Sequence, residues 1–253
     1  MLSPFSLAQT APTPLSQEDE ARIEELVIAN RILANEGIVD GFGHISVRSA
    51  TNPTHYFMAG SRAPALVQRD DIIEFDENGA PLNARPGQEL YSERFIHGEI
   101  YRVRPDAQSV VHAHSPAVLP FGLTNTPLLP VIHNAAFLGT EPAPVFEIWD
   151  AGGEDNAMLV STLELGAALA TQLGNRPVIL MRGHGMAVAA ESIQRAVFQA
   201  VYTQRNASIL LEALRLGPPI YLNRYEVQRT DRMDRQWEKW RRDAEASLRQ
   251  DAP

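Results

Sequence analysis

Val110-Val111-His112-Ala113-His114-Ser115 and Val178-Ile179-Leu180-Met181-Arg182-Gly183-His184-Gly185 decide how this chain is read. Each is an apolar run that ends in histidine, the pattern of a buried strand delivering a polar side chain at its end. His112 and His114 are two apart, so on a strand both imidazoles leave the same face, with Cα atoms about 6–7 Å apart. That spacing lets ring nitrogens converge on one ion at about 2.0–2.1 Å. His184 lies between two glycines, where the backbone can approach a site closely. A polar group emerging from a buried strand is costly unless partnered, so these three histidines are read together as candidate metal ligands. Glu93 falls on a helix expected over Leu90–Val103, just ahead of the His-x-His strand, and is placed near the same cleft.

Outward from these strands, helices and strands alternate along the chain, which favours one α/β domain over residues 17–222. Ser16 with Asp19 reads as a helix start, and Gly37 as its stop. Gly41-Phe-Gly-His-Ile-Ser-Val-Arg48 runs from a glycine turn into a short alternating strand. His55–Met58 and Ile72–Phe75 read as further strands, with Asn78-Gly79 as the hairpin turn. Pro105 ends the Glu93 helix. Residues 116–150, rich in proline and aromatics, read as a long loop with one strand over Pro144–Ile148. Thr162–Leu173 is a helix stopped by Gly174. Ser192–Leu216 is the longest helix, ended by Gly217-Pro-Pro219. From Asn223 the tail is rich in charge, yet Met233, Trp237, Trp240, Ala244 and Leu248 keep helical spacing. Residues 223–253 are therefore expected as a helical tail packed on its own core or on a neighbouring subunit. Prolines 4, 12 and 14 mark residues 1–16 as a loose arm.

Composition narrows the chemistry. The 253 residues carry 31 acidic and 22 basic side chains, for a formal charge of −9, and the chain shows no basic stripe for nucleic acid. With no cysteine, disulfides, thiolate nucleophiles and thiolate metal sites are excluded, so any metal is held by nitrogen and oxygen. No stretch approaches the roughly 20 apolar residues that cross a bilayer. The first residues lack the basic and apolar regions of a signal peptide, and the expected location is the cytoplasm.

Glu93-Arg-Phe-Ile-His-Gly-Glu-Ile-Tyr101, Arg104-Pro-Asp106, the His112/His114 strand and Met181-Arg-Gly-His-Gly185 together resemble the class II aldolase/adducin family, over most of residues 20–220. The resemblance implies a single-domain α/β sandwich with a central, largely antiparallel sheet flanked by helices. It implies a divalent ion (manganese, zinc, iron or cobalt) on His112, His114 and His184, with Glu93 as acid/base or fourth ligand. It also implies a homotetramer with active sites at subunit interfaces. Where sugar-phosphate aldolases of the family carry a Gly-Asn before the serine of the first strand, this chain has Gly43-His44-Ile45-Ser46. Their Thr-Gly phosphate loop is replaced by Ala59-Gly-Ser-Arg-Ala-Pro64. These runs, with Pro130-Val-Ile-His133, are similar to the decarboxylase-type branch, associated with hydroxylated aromatic or hydroxypyridine dicarboxylates and carboxymuconic semialdehydes.

The expected activity is thus metal-dependent decarboxylation of a small carboxylate in aromatic catabolism, through a metal-stabilised enolate. Ser61 and Arg62 are candidate substrate contacts, the guanidinium fork suiting a carboxylate. His44 reads either as a turn histidine or as a group acting on the substrate, and His97 as an orienting partner. Ser92, His133 and Tyr202 could line the pocket, or lie on the surface and in the packing; Tyr221 is read in the same two ways, and His55 as structural. An aldolase acting on a non-phosphorylated hydroxy-oxo acid uses the same machinery. An iron(II) oxygenase and a non-enzymatic scaffold of adducin type are the remaining readings.

Overall fold

Ser16 caps the first helix of the computed structural model: its hydroxyl accepts the Asp19 backbone N–H at 3.0 Å, at the head of α1 (Gln17–Asn35). The helix stops where Gly37 takes a φ of +65°. The structure describes residues 14–228 and 233–250. All but the last three residues of the expected arm lie outside them.

A meander of β1 (His44–Arg48), β2 (His55–Ala59) and β3 (Ile72–Asp76) follows. The expected turn at Asn78-Gly79 forms with Gly79 at φ +73°, and a bridge from Phe75 to Pro81 brings the chain back along β3. Then come α2 (Arg94–Val103), β4 (Ser109–Ala113), α3 (Leu119–Leu123), β5 (Val145–Phe146), α4 (Ile148–Gly152) and α5 (Leu163–Leu173). The chain finishes with β6 (Val178–Met181), β7 (Gly185–Ala190), α6 (Ile193–Leu216) and α7 (Asp234–Gln250). The seven strands form one sheet in the order β3-β2-β1-β4-β7-β6-β5, antiparallel throughout except for the β5–β6 pair. This is the expected α/β architecture, a largely antiparallel sheet flanked by helices.

Strand periodicity sorts the side chains between two helical layers. α1 packs on β1, and α6 packs on β4 and β7. On the other face α2 packs on β4 and on α5. Ser46 and Arg48 turn to α2, where Ser46 meets His97 and Tyr101, and Arg48 binds the Tyr101 carbonyl at 2.8 Å. His44 leaves the same face, and the β1–β4 register sets it directly opposite His112. The sheet thus brings a histidine from each central strand to one spot on the α2 side.

Several expectations are corrected. β1 does not alternate: all five residues are buried, because helices cover both faces at the sheet centre. The helix expected from Leu90 starts only at Arg94. Glu93 sits at its N-cap position with φ −93° and ψ 18°, its carboxylate drawn away to the Val160 backbone rather than capping α2. The expected loop over 116–150 contains α3, α4 and a 3-10 stretch at His133–Leu138, and its strand shrinks to Val145–Phe146. Glu147 stops that strand by capping α4 through the Trp149 N–H. Strand β7 was not expected at all. Gly185-Met-Ala-Val-Ala-Ala190 is a run of small apolar residues buried at every position, with no alternation to announce it. The tail helix packs on α1, with Trp240 2% and Ala244 0% exposed, so it belongs to the molecule's own core. No helix among the described residues is long and apolar enough to cross a membrane.

Candidate metal centre

Three tight pieces of chain carry the cluster. β4 delivers His112 and runs straight into His114. The β6–β7 hairpin delivers His184 at its turn, closed by the His184 N–H on the Met181 carbonyl at 3.0 Å and by Gly183 at φ +67°. A side chain at Gly185 would place its Cβ 2.2 Å from the Ala113 carbonyl oxygen, so only glycine lets β7 approach β4 closely enough for His184 to reach the other histidines. Arg182, in the same turn, is pinned by Glu147. Glu93 arrives from the head of α2.

The result is a cluster in which Glu93, His112, His114 and His184 each offer a donor atom within 4.8 Å of the others. Nε2 of His114 lies 3.1 Å from Nε2 of His112 and 3.1 Å from Nε2 of His184. Oε2 of Glu93 lies 3.5 Å from His112 Nε2 and 3.3 Å from His184 Nε2. A regular tetrahedron of donors about 2.0–2.1 Å from a central ion has edges of about 3.3–3.4 Å. Four of the six donor separations bracket that value, and all six lie within 4.8 Å.

Proton positions strengthen the fit. Nδ1 of His112 faces the Met186 carbonyl at 3.1 Å, which accepts only, so Nδ1 carries the proton and Nε2 is a bare lone pair. Nδ1 of His114 faces Asp40 Oδ2 at 3.2 Å and is fixed in the same way. The contact between His112 Nε2 and His114 Nε2 is therefore lone pair against lone pair, with a carboxylate oxygen beside it. Such an arrangement repels itself unless a cation occupies its centre. Two histidine nitrogens, a third imidazole and a carboxylate suit a borderline divalent ion.

Charge follows the same logic. Burial opposes ionisation of Glu93, but positive charge at the His112 and His184 nitrogens, as protons or as a cation in their place, outweighs it and holds the carboxyl well below the usual range. Its Oε1 accepts the Val160 N–H at 2.8 Å, leaving Oε2 to the histidines. Burial, with His112 beside it, pushes His114 down. Burial resists the ionisation of Asp40, yet its carboxyl is lowered by the Phe42 N–H and His114.

A second group adjoins the first. His44 is 2% exposed, with its ring 5.1 Å from that of His112 and 4.5 Å from that of Tyr91. Its Nδ1 meets His97 Nε2 at 2.7 Å, and His97 Nδ1 meets Ser46 Oγ at 2.6 Å. His97 is pushed down to about 3 by burial and by His112, so it stays neutral and orients His44.

The other expected contacts are more scattered. Arg62 spends its Nε on the Leu66 carbonyl at 2.8 Å and on Asp71 at 3.0 Å. Its backbone carbonyl accepts the Tyr91 hydroxyl, which ties the Ser61–Arg62 loop to the ring beside His44. Ser61 and Ser92 are exposed. His133 is exposed at the start of a 3-10 stretch packed on α6. Tyr202 sits in an aromatic stack with Phe198 and Trp240, and Tyr221 packs against the core. His55 pairs with Glu74 at 2.7 Å across β2 and β3. Sequence reasoning missed Asp40, Tyr91 and the Val160 N–H. Asp40 carried a signal, since an aspartate before Gly-Phe-Gly organises a turn through its side chain, but only the fold shows that the same carboxylate holds His114.

Comparison with known proteins shows the family. Residues 24–211 match the family described as Class II Aldolase and Adducin N-terminal domain. The chain is 35% identical to decarboxylase tropJ of Talaromyces stipitatus, over 85% of this chain and 90% of that one. It is 34% identical to 3,4-dihydroxyphthalate decarboxylase of Arthrobacter keyseri, over 77% of this chain and 79% of that one. L-fuculose 1-phosphate aldolase from Glaciozyma antarctica shares the fold, with a TM-score of 0.75 at 22% identity and 94% of both chains covered. With the family model matching residues 24–211 and relatives about a third identical that are named decarboxylases, the chain belongs to the class II aldolase and adducin family, on its decarboxylase-type branch.

Proposed function

We propose that the protein is a divalent-metal-dependent decarboxylase of small hydroxylated aromatic carboxylates. The observation that carries this reading is the convergence of three imidazole nitrogens and the Glu93 carboxylate, with neighbouring donors 3.1–3.5 Å apart, in a chain about a third identical to named decarboxylases. A divalent ion held by His112, His114 and His184 would supply a Lewis acid that draws negative charge onto a substrate oxygen. The bond from ring carbon to carboxylate breaks, carbon dioxide leaves, and a proton takes its place on carbon. Glu93 is suited to move that proton, because the Val160 N–H holds Oε1 in place while Oε2 has no backbone partner. Asp40 and the Met186 carbonyl keep His114 and His112 in the tautomer that donates through Nε2. We assign the activity to residues 17–222, with α7 packed on α1, in a homo-oligomer.

Incubation of the metal-loaded protein with 3,4-dihydroxyphthalate and related hydroxyphthalates tests the reading. One carbon dioxide released for each substrate consumed, with the corresponding hydroxybenzoate formed, is the expected result. Aldehyde release from a hydroxy-oxo acid, with no carbon dioxide from any hydroxyphthalate, overturns it in favour of aldol cleavage.

A further inference from the structure

His44 has one ring nitrogen engaged by protein and one not. Nδ1 is 2.7 Å from His97 Nε2, whereas Nε2 has no hydrogen-bond partner among the described residues, in a side chain that is 2% exposed. Which nitrogen carries the proton follows from the chain of contacts behind it. Tyr101 Oη lies 2.7 Å from Ser46 Oγ, Ser46 Oγ lies 2.6 Å from His97 Nδ1, and His97 Nε2 meets His44 Nδ1. Ser46 and His97 are 0% exposed and Tyr101 is 5% exposed.

These groups share a limited set of protons, and only one arrangement satisfies them all. Among the described residues Ser46 Oγ is the sole acceptor within reach of the Tyr101 phenol. The phenol therefore donates to Ser46. Ser46, its lone pair taken, passes its own hydrogen to His97 Nδ1. His97 then carries its proton on Nε2 and donates it to His44 Nδ1. His44 is left with a bare Nδ1 and a proton on Nε2. Reversing the chain would have His97 donate to Ser46 and Ser46 to Tyr101, which strands the phenol proton in the interior; letting both donate to Ser46 strands the serine proton instead.

We propose that Tyr101, Ser46 and His97 form a tautomer lock that makes His44 a fixed neutral N–H donor beside the metal centre, there to bind a carboxylate of the substrate. The register explains the placement, since His44 is the cross-strand partner of the metal-ligating candidate His112. The role is binding and not proton supply. Loss of the Nε2 proton would leave an imidazolate, and no group behind His44 can replace the proton, because the terminal phenol is itself buried. A donor that cannot dissociate is what an anionic substrate requires next to a carboxylate-bearing centre such as Glu93. Tyr101, Ser46 and His97 are positioning residues, and His44 is the group that touches the substrate. This rests on the proposed decarboxylase reading for the identity of the anion, but the tautomer itself does not.

The direct test is nitrogen-15 NMR of histidine-labelled full-length protein loaded with zinc, a diamagnetic ion, which distinguishes neutral imidazoles protonated at Nε2 from those protonated at Nδ1. The expected spectrum shows both His44 and His97 protonated at Nε2, and Ser46→Ala converts part of the His97 signal to the other tautomer. A wild-type His44 protonated at Nδ1 overturns the proposal. The functional arm compares His44→Gln, whose amide N–H reaches close to the position of Nε2, with His44→Leu, which has no donor. Leucine is expected to raise KM for the carboxylate substrate about tenfold or more with a smaller change in kcat, and glutamine to recover most of that loss. Equal KM values for the two variants overturn the carboxylate-binding role. A protein with the expected tautomers that releases no carbon dioxide from any hydroxyphthalate refutes the reaction assigned above and leaves the lock standing.

Discussion

Two groups of histidines share one face of the central sheet and are built on opposite principles. In the group of His112, His114 and His184, the Nε2 atoms of His112 and His114 turn bare lone pairs on each other, and Glu93 adds a carboxylate to the same point. In the group of His44, His97, Ser46 and Tyr101, every short contact joins a donor to an acceptor. The first group is incomplete without a cation. The second is complete within the protein, apart from a single N–H left over for a ligand. Histidine content does not separate them; the direction of the protons does.

The largest expected effect breaks the comparison at its strong side. His112→Ala and His184→Ala should each lose the stoichiometric divalent ion, measured by elemental analysis of purified protein, and lower kcat/KM by about a thousandfold. Ser46→Ala should keep the ion. If Ser46→Ala also loses it, the two groups are one unit and the distinction fails. An unchanged ion content in His112→Ala and His184→Ala would return the protein to the scaffold reading.

A smaller effect is expected from Gly185→Ala. Its Cβ would meet the Ala113 carbonyl oxygen, and β7 must shift away from β4 to admit it. Overpacking of this kind costs about 1–3 kcal/mol, read as a lower midpoint in urea denaturation. Because the same shift carries His184 off its position, ion affinity should fall together with stability. A stability loss with unchanged ion affinity would show that the hairpin turn holds His184 independently of the strand beside it.

The smallest effect belongs to a histidine outside both groups. His55 pairs with Glu74 on a partly exposed patch between β2 and β3, remote in the sheet order from β7. His55→Gln should change stability by no more than about 0.5 kcal/mol and leave ion content and turnover as they are. A loss of turnover in that variant would mean that the metal-binding face extends to the sheet edge.

Much of the site was legible before the fold. His112 and His114 were linked by strand period alone, and the flanking valines said that the strand was buried. His184 was marked by the glycines around it. Glu93 was placed correctly by its position before β4, although the helix it was expected to sit on begins one residue later. Strand β7 was not legible, because a run such as Met-Ala-Val-Ala-Ala buried on every side has no periodicity to betray it. Without β7 there is no Met186 carbonyl to set the His112 tautomer. For Tyr202 and His133, where the sequence left a pocket and a packing or surface place both open, the fold puts the first in an aromatic stack and the second on the surface of the chain.

By itself the sequence determined the chemistry available to this protein. It has no thiolate, its histidines sit at ligand spacing at the ends of apolar strands, and its helices and strands interleave in one α/β order; these follow from composition and period, which are local properties of the chain. The tertiary structure decided how that chemistry is arranged. Only strand pairing sets His44 across from His112, only the approach of β7 to β4 brings His184 to the cluster, and only long-range neighbours such as Asp40, Val160 and Tyr101 decide where each proton lies. Proton placement depends on partners far apart in sequence, and hydrogen-bond geometry exists only once the chain is folded.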